Sequence, residues 1–387
     1  MHHFIYATKD SCISSGSNAD TTGISEKDQN YGQDPILELK KNFFNQSFDY
    51  QTRVLVQFNL NETGNSISQS IVDGNITNPR YYLRLYEAEG TKELSTEYTL
   101  EAFPISESWD EGTGKFGDNP KTTNGVSWEN RNNYPGASAV TWSNSDDGAS
   151  YSEFSGLGVT YYDTGSGGNP TNASQSFSYE SPDVNMDVTD IVNHWFESAS
   201  ATNHGFLLKF SGSQETDNQT FGHFKFFSSQ THTIYPPKLE VRWDDHLPCT
   251  GSNTGSLTEL TSSGEADNYL YMKGLKKYYK ETEKVKFRIG ARKRYIQRRF
   301  NTSVQTVTGS YIPEGSGSYS IIDIATGETI IPFSDYTKLS CDSTSLYFIQ
   351  WLNGFAPDRV YKILYKVKYD DGQEQIFDDD FEFIVKR

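Results

Sequence analysis

Along most of this chain apolar residues alternate with polar ones, the two-residue period of a β-strand whose side chains point to opposite faces of a sheet. "FIYATKDSCISSG" (4–16) begins the series. In "TRVLVQFNL" (52–60), Val54, Val56 and Phe58 share one face while Leu55 and Leu60 are further apolar positions, which predicts a strand buried on at least one side. "RYYLRLYEA" (80–88), "YTLEAFPI" (98–105), "HGFLLKFSG" (204–212), "GHFKFFSS" (222–229) and "PPKLEVRWDD" (236–245) read as further strands, and "ESWDEG" (107–112) as a turn out of the sheet. One stretch breaks the rhythm. In "MDVTDIVNHWF" (186–196), Val188, Ile191, Val192, Trp195 and Phe196 recur at helical spacing, with Asp187 able to cap the start and Asp190 placed to suit the positive end. A single helix between strands predicts a two-sheet sandwich with one short covering helix. Its role is structural rather than chemical.

The last third has the same alternation in a different charge setting. In "EKVKFRIGAR" (283–292), Val285, Phe287 and Ile289 face one way and Lys284, Lys286 and Arg288 the other. Hairpins are expected around Thr326-Gly327 and Asp371-Gly372. Short strands at regular spacing suggest a small immunoglobulin-like sandwich. The Ser-, Thr- and Gly-rich stretch 246–268 reads as a linker. The expected organisation is therefore all-β. A jelly-roll-like sandwich (1–245) with a long insertion (110–180) comes first, then the linker, then the immunoglobulin-like sandwich (269–387).

Composition sharpens this picture. The 25 Tyr, 24 Phe and 31 Gly against 3 Met in 387 residues favour a turn-rich β protein. Residues 1–250 hold 15 Lys+Arg against 33 Asp+Glu, whereas 251–387 hold 19 against 18. The two portions differ in kind, and the net charge of −17 argues against general nucleic-acid binding. Three widely spaced cysteines, Cys12, Cys249 and Cys341, read as buried free thiols rather than a disulfide framework. No basic and apolar leader opens the chain, which predicts a protein not exported by the usual route. No stretch approaches the roughly 18 apolar residues of a membrane span.

Candidate chemistry is sparse. No nucleophile elbow, zinc-protease helix, phosphate-binding loop or Cys pair at zinc spacing is present, so no catalytic residue, cofactor or metal ligand is assigned. Two acidic clusters, 144–148 and 163–169, contain calcium-type oxygen ligands but match no full loop and read as solvated turns. Trp128, Tyr134 and Trp142, within the insertion, are candidates to stack on sugar rings or simply to anchor the loop onto the sandwich. The segment 273–299 holds twelve Lys+Arg against Glu281 and Glu283 only. Part of it lines the outer face of a strand. Lys276, Lys277, Arg292, Lys293, Arg294, Arg298 and Arg299 are the candidates to meet an acidic protein surface, the first portion of a neighbouring copy included.

The ordered series "IYATKDSCISSGS", "NYGQDPILEL", "TRVLVQFNL", "YYLRLYEAEG", "ISESWDEG", "MDVTDIVNHWF", "NHGFLLKFS" and "PPKLEVRW" resembles the DNRLRE-type, carbohydrate-binding-module-like β-sandwich domain. The likeness covers about residues 3–244 and implies the same sandwich and covering helix. The string that gives that domain its name is absent, Cys12 stands where relatives often carry Trp, and no ligand site carries over. The whole chain, with "YMKGLKKYYKETEKVKFRIGARKRY", "DYTKLSCDS" and "NGFAPDRVYK", also resembles virion structural proteins of contractile-tailed bacteriophages. That resemblance implies a non-enzymatic component of a virion assembled in the host cytoplasm, on the tail side (baseplate, fibre attachment or neck). Its partners would be other virion proteins, in several copies, with no nucleic acid or membrane. The alternatives are a glycan-binding module contacting the host surface and a capsid decoration protein, with a polysaccharide-degrading enzyme a distant third.

Overall fold

The structure, a computed structural model, describes every residue except 19–23, 45–46, 63–64, 91–96, 144–157, 163–171, 178–182, 198–201, 218–220, 261–267, 297, 299 and 301. The chain is all-β and sandwich-like. It divides into two compact units, one of Ile5–Asp73 and Arg80–Val241, the other of Met1–Phe4, Gly74–Pro79 and Arg242–Arg387.

The longer strands that lie wholly or mostly in the first unit are β1 (His2–Ser14), β2 (Ile36–Phe44), β3 (Ser47–Phe58), β4 (Arg80–Leu85), β5 (Glu87–Gly90), β6 (Tyr98–Pro104), β7 (Ala173–Phe177), β8 (Val184–Asp187), β9 (Phe206–Phe210), β10 (Phe221–Phe227) and β11 (Lys238–Arg242). The main sheet runs β7-β6-β9-β3-β1-β11-β4-β8. β3 then leaves it. Thr52–Phe58 pair with β1, while Gln51, Tyr50 and Ser47 pair with β2, which continues to β10 and β5 as a second layer. The layers meet through aromatics: Phe224 of β10 lies 4.4 Å from Tyr98 and 5.7 Å from Phe210, ring to ring.

The helix Thr189–Glu197 forms where the periodicity places it. Asp187 accepts from the Thr189 amide at 3.0 Å and so caps the start. Val188, Ile191, Val192 and Trp195 are buried, and the Trp195 ring lies 4.9 Å from Phe206 of the main sheet. The stripe is a cover for the sheet.

The chain after β6 changes how the main sheet is used. Val54, Leu55 and Val56 are all fully buried, so β3 is covered on both faces rather than one. Ile13, Leu55, Phe103 and Leu207 on its second face pack with Trp109, Val126, Trp128, Trp142, Val159 and Tyr161. Buried in this layer, Arg53 holds Glu215 at 2.8 Å and Lys209 reaches the same carboxylate at 3.2 Å. Burial alone would raise the Glu215 carboxyl. The two cations overcome it and hold the group below its ordinary value.

The second unit contains β12 (Thr258–Glu259), β13 (Asn268–Lys273), β14 (Tyr278–Lys280), β15 (Lys284–Lys293), β16 (Ser310–Tyr311), β17 (Gly317–Asp323), β18 (Thr329–Ile331), β19 (Ser340–Asp342), β20 (Ser345–Trp351), β21 (Val360–Lys368) and β22 (Glu374–Lys386). One sheet runs β12-β16-β15-β20-β19 with β13 on β15, the other β14-β22-β21-β17-β18. Phe287, Phe348 and Tyr319 stack through the core between them. Both expected hairpins form, with Gly327 (φ 72°) and Gly372 (φ 84°) supplying the left-handed turn position.

The expected linker is corrected by the packing. Cys249 and Leu260 are buried in the core of this unit, β12 pairs with β16, and the Leu247 amide donates to Ser340 Oγ at 3.1 Å. Ser, Thr and Gly here serve a turn, Gly251–Thr254, rather than a tether. All three cysteines are buried free thiols.

Candidate functional site

Two turns of the first unit build a cleft. Asn30 is fully buried, and its amide donates to the carbonyls of Glu111 and Val126, each at 2.7 Å, while Oδ1 accepts from the amides of Gly32 (3.1 Å) and Gly114 (2.7 Å). Every hydrogen-bonding group of that side chain is used. The backbones approach so closely that a Cβ on Gly32 would run into the Glu111 carbonyl. Hence the "NYG" and "WDEG" stretches, some 80 residues apart, form one knot. It fixes Tyr31 on one side and, through the Phe116 amide donating to Asp34 Oδ2 at 2.7 Å, Phe116 on the other.

The cleft beside this knot encloses about 340 Å³, within the range of small-molecule sites. Its aromatic members are Tyr31, Phe116 and Phe227. Phe116 stands 68% exposed at the rim, while Phe227 is half-buried and stacked on Tyr235. β2 supplies Ile36, Glu38 and Lys40, whose alternation with buried Leu37 and Leu39 points them outward. Glu26, Asp34, Glu89 and Lys225 complete a ring of charge. Lys40 pairs with Glu38 at 3.2 Å and Lys225 with Glu89 at 2.7 Å. Asp34 also accepts from the Ile36 amide at 3.1 Å, and Glu26 accepts from Ser14 Oγ at 2.9 Å.

The floor carries no charge. Burial pushes the Cys12 thiol up to about 12 and raises the Tyr31 phenol as well, with Glu26, Glu38 and Asp34 adding to the latter. Tyr31 is 6% exposed and lines the cleft. The cleft thus offers apolar faces, carboxylates that accept from O–H or N–H groups, and a phenol hydroxyl in its lining. These are the elements that recognise a polyhydroxylated ring.

The stacking candidates named from sequence are elsewhere. Trp128 and Trp142 are 5% and 2% exposed, in the layer over the main sheet, where Arg53 lies over the Trp128 ring and Trp142 Nε1 donates to the Ser127 carbonyl. They cannot meet a ligand, because the sheet occupies their faces. Tyr134 is half-exposed but does not line the cleft. The acidic clusters at 144–148 and 163–169 lie outside the described residues. Strand β2 was missed by the sequence reading, although the Leu37/Leu39 and Glu38/Lys40 alternation was there to find it.

The basic segment splits in two. Along β15, Lys286 and Arg288 share Asp342 at 2.9 and 3.0 Å, and Arg292 lies 4.7 Å over Tyr269. At the end of β15 and beyond it, Lys293, Arg294 and Arg298 are exposed and make no ion pair among the described residues. Tyr295, Ile296, Phe300, Val304 and Val307 are exposed between and after them. Lys276 and Lys277 are exposed in the turn before β14, and Arg299 lies outside the described residues.

No curated protein matches the chain. Among solved structures, the β-glucuronidase of Parabacteroides merdae is similar over 79% of this chain and 28% of that one, at 9% identity and a TM-score of 0.16, too low to bear on fold or activity. The chain spans little more than a quarter of that structure. Residues 4–155 match the model of carbohydrate-binding module family 96, a span that contains every cleft residue except Lys225 and Phe227. The first unit therefore carries a carbohydrate-binding-module-like domain.

Proposed function

We propose that the protein is a non-catalytic glycan-binding protein whose site is the cleft around Tyr31, Phe116 and Phe227. The observation that carries this reading is the coincidence of that cleft with the span matched by a binding-module family. The test is a glycan array probed with the whole chain and with Phe116→Ala. Binding by the wild type, weakened about tenfold in the variant, is expected, since one aromatic platform contributes on the order of 1 kcal/mol. Absence of any bound glycan would remove the reading. A polysaccharide-degrading enzyme is the rival, because the cleft has several carboxylates, and new reducing ends after incubation with the bound glycan would establish it.

The setting we propose is a bacteriophage particle, on its tail side, with the second unit joining neighbouring virion proteins. Motif order supports this, and so does the exposed run of Lys293, Arg294, Tyr295, Ile296, Arg298 and Phe300, which suits an acidic surface with an apolar patch. Replacing Lys293, Arg294 and Arg298 by Ser should leave the chain folded and exclude it from purified particles. Normal incorporation would sink that half of the proposal.

A further inference from the structure

The second unit holds a pair of thiols that glycan binding does not use. Cys249 lies just before the turn Gly251–Thr254, and Cys341 lies in the middle of β19, 92 positions further on (341 − 249). Both are buried in the same core. The backbone brings them together. The Cys341 amide donates to the Leu247 carbonyl at 3.3 Å, and the Leu247 amide donates to Ser340 Oγ at 3.1 Å, so the chain entering the turn runs beside β19. Glu314 holds it as well, accepting from the Cys249 amide at 2.6 Å. The Cys249 side chain is thereby aimed at β19, where its thiol donates to the Leu339 carbonyl at 3.7 Å and to the Cys341 sulfur. Cys341 in turn donates to the Asp342 carbonyl at 3.6 Å. Cys12 supplies the contrast, since it is buried in the first unit.

Two thiols already in contact need only shorten that contact to become a disulfide. We infer that Cys249 and Cys341 are a redox-responsive pair, thiols under reducing conditions and, in an oxidising medium, a disulfide that staples residues 247–249 to β19. With a peroxide as oxidant the step balances. The Cys341 sulfur, its proton lost, takes one peroxide oxygen while the other leaves as water, which gives a sulfenic acid. The Cys249 sulfur then attacks the Cys341 sulfur, and the sulfenic oxygen leaves as a second water. Each sulfur gives up one electron and the peroxide gains two. Cys341 is the first to react. Burial raises both thiols, but the S–H that Cys249 donates favours the Cys341 thiolate and disfavours its own. Burial also makes the reaction slow and confines it to small oxidants or to moments of local opening. The bond closes a long loop, the case in which a cross-link restricts the unfolded chain most. The inference stands whether or not the cleft binds a glycan.

The test exposes the whole folded chain, fully reduced beforehand, to dilute hydrogen peroxide. Thiols counted after unfolding should fall from three to one, and a peptide map should contain a cross-linked Cys249–Cys341 peptide with Cys12 still free. The melting temperature of the second unit should rise by roughly 5–10 °C and return to its starting value with dithiothreitol. Cys249→Ser and Cys341→Ser should each abolish the cross-link and the shift, while Cys12→Ser should keep both. The decisive readings are on the wild type, so they hold even where a serine variant folds poorly. Three thiols surviving in the folded chain, a cross-link that forms only in denaturant, or one that includes Cys12 would overturn the pairing. A Cys249–Cys341 bond that leaves the melt unchanged would overturn the staple.

Discussion

Trp128 and Phe116 come from the same stretch between β6 and β7, twelve residues apart, and meet opposite fates. Trp128 is buried under Gly158, whose added Cβ would strike its ring, and carries the Arg53 guanidinium on its face. Phe116 is tethered by its backbone to Asp34 and leaves its ring in solvent at the mouth of the cleft. Both are large aromatics among Gly, Asn and Ser, and composition around them is alike. What separates them is the surface each one lands on. Where this stretch packs on the main sheet, Leu55, Leu207 and Phe103 demand an apolar cover, and the tryptophans provide it. Where it passes the Asn30 knot, the backbone is already satisfied and the side chain is free for a ligand.

The sharpest way to break this contrast is to truncate the two rings separately. Trp128→Ala should cost about 3–5 kcal/mol in denaturant unfolding, as a cavity substitution in a closed layer. Trp195→Ala in the covering helix should cost a similar amount, because its ring packs on Phe206. A cost below about 1 kcal/mol for either would mean that its ring faces solvent.

Next in size is the pH response of the same region. Asp10 on β1 is buried, its Oδ1 lacks a partner, and Glu111 stands nearby. Burial pushes its carboxyl up to about 7, against a Ser229 amide that donates to it at 2.6 Å. The folded state therefore holds a proton that the unfolded chain releases near pH 4. Stability from this group is full below about pH 4 and is lost as pH rises towards 7, by at most about 4 kcal/mol. Asp10→Asn should be more stable than wild type at neutral pH, with the difference vanishing in acid. Parallel denaturant titrations across that range would show it, and a difference independent of pH would refute it.

Asn30→Ala tests the knot. It orphans several buried backbone groups, so a loss on the order of 3 kcal/mol is expected at about 1 kcal/mol each. Glycan binding should fall as well, since Tyr31 and Phe116 lose their fixed positions. The smallest effect on stability should be that of Phe116→Ala, within about 0.5 kcal/mol of wild type, with its consequence confined to binding. A large loss of stability there would make Phe116 a packing residue like Trp128 and erase the contrast.

Much of the framework was legible. The covering helix, the long strands of the first unit and both hairpins of the second follow from alternation, helical spacing and turn residues. Residues 246–260 pack into the second unit although they look like a linker, because small polar residues suit tight turns as well as tethers and Cys249 and Leu260 reveal the difference only once packed, while 261–267 lie outside the described residues. Within the basic segment, Lys286 and Arg288 on the strand face are occupied by Asp342, some fifty residues away, while Lys276, Lys277, Lys293, Arg294 and Arg298 are exposed and make no ion pair among the described residues.

Periodicity is a property of the local backbone, so the sequence by itself determined most of the long strands, where the covering helix lies, and that charge is unevenly divided along the chain. Which aromatics are core and which are available to a ligand was decided by tertiary structure alone. The cleft draws on residues from Cys12 to Phe227, brought together by strand pairing and by the Asn30 knot. No local pattern encodes such a meeting, because the free energy that buries Trp128 and leaves Phe116 exposed depends on the surface opposite each ring, and that surface comes from distant parts of the chain.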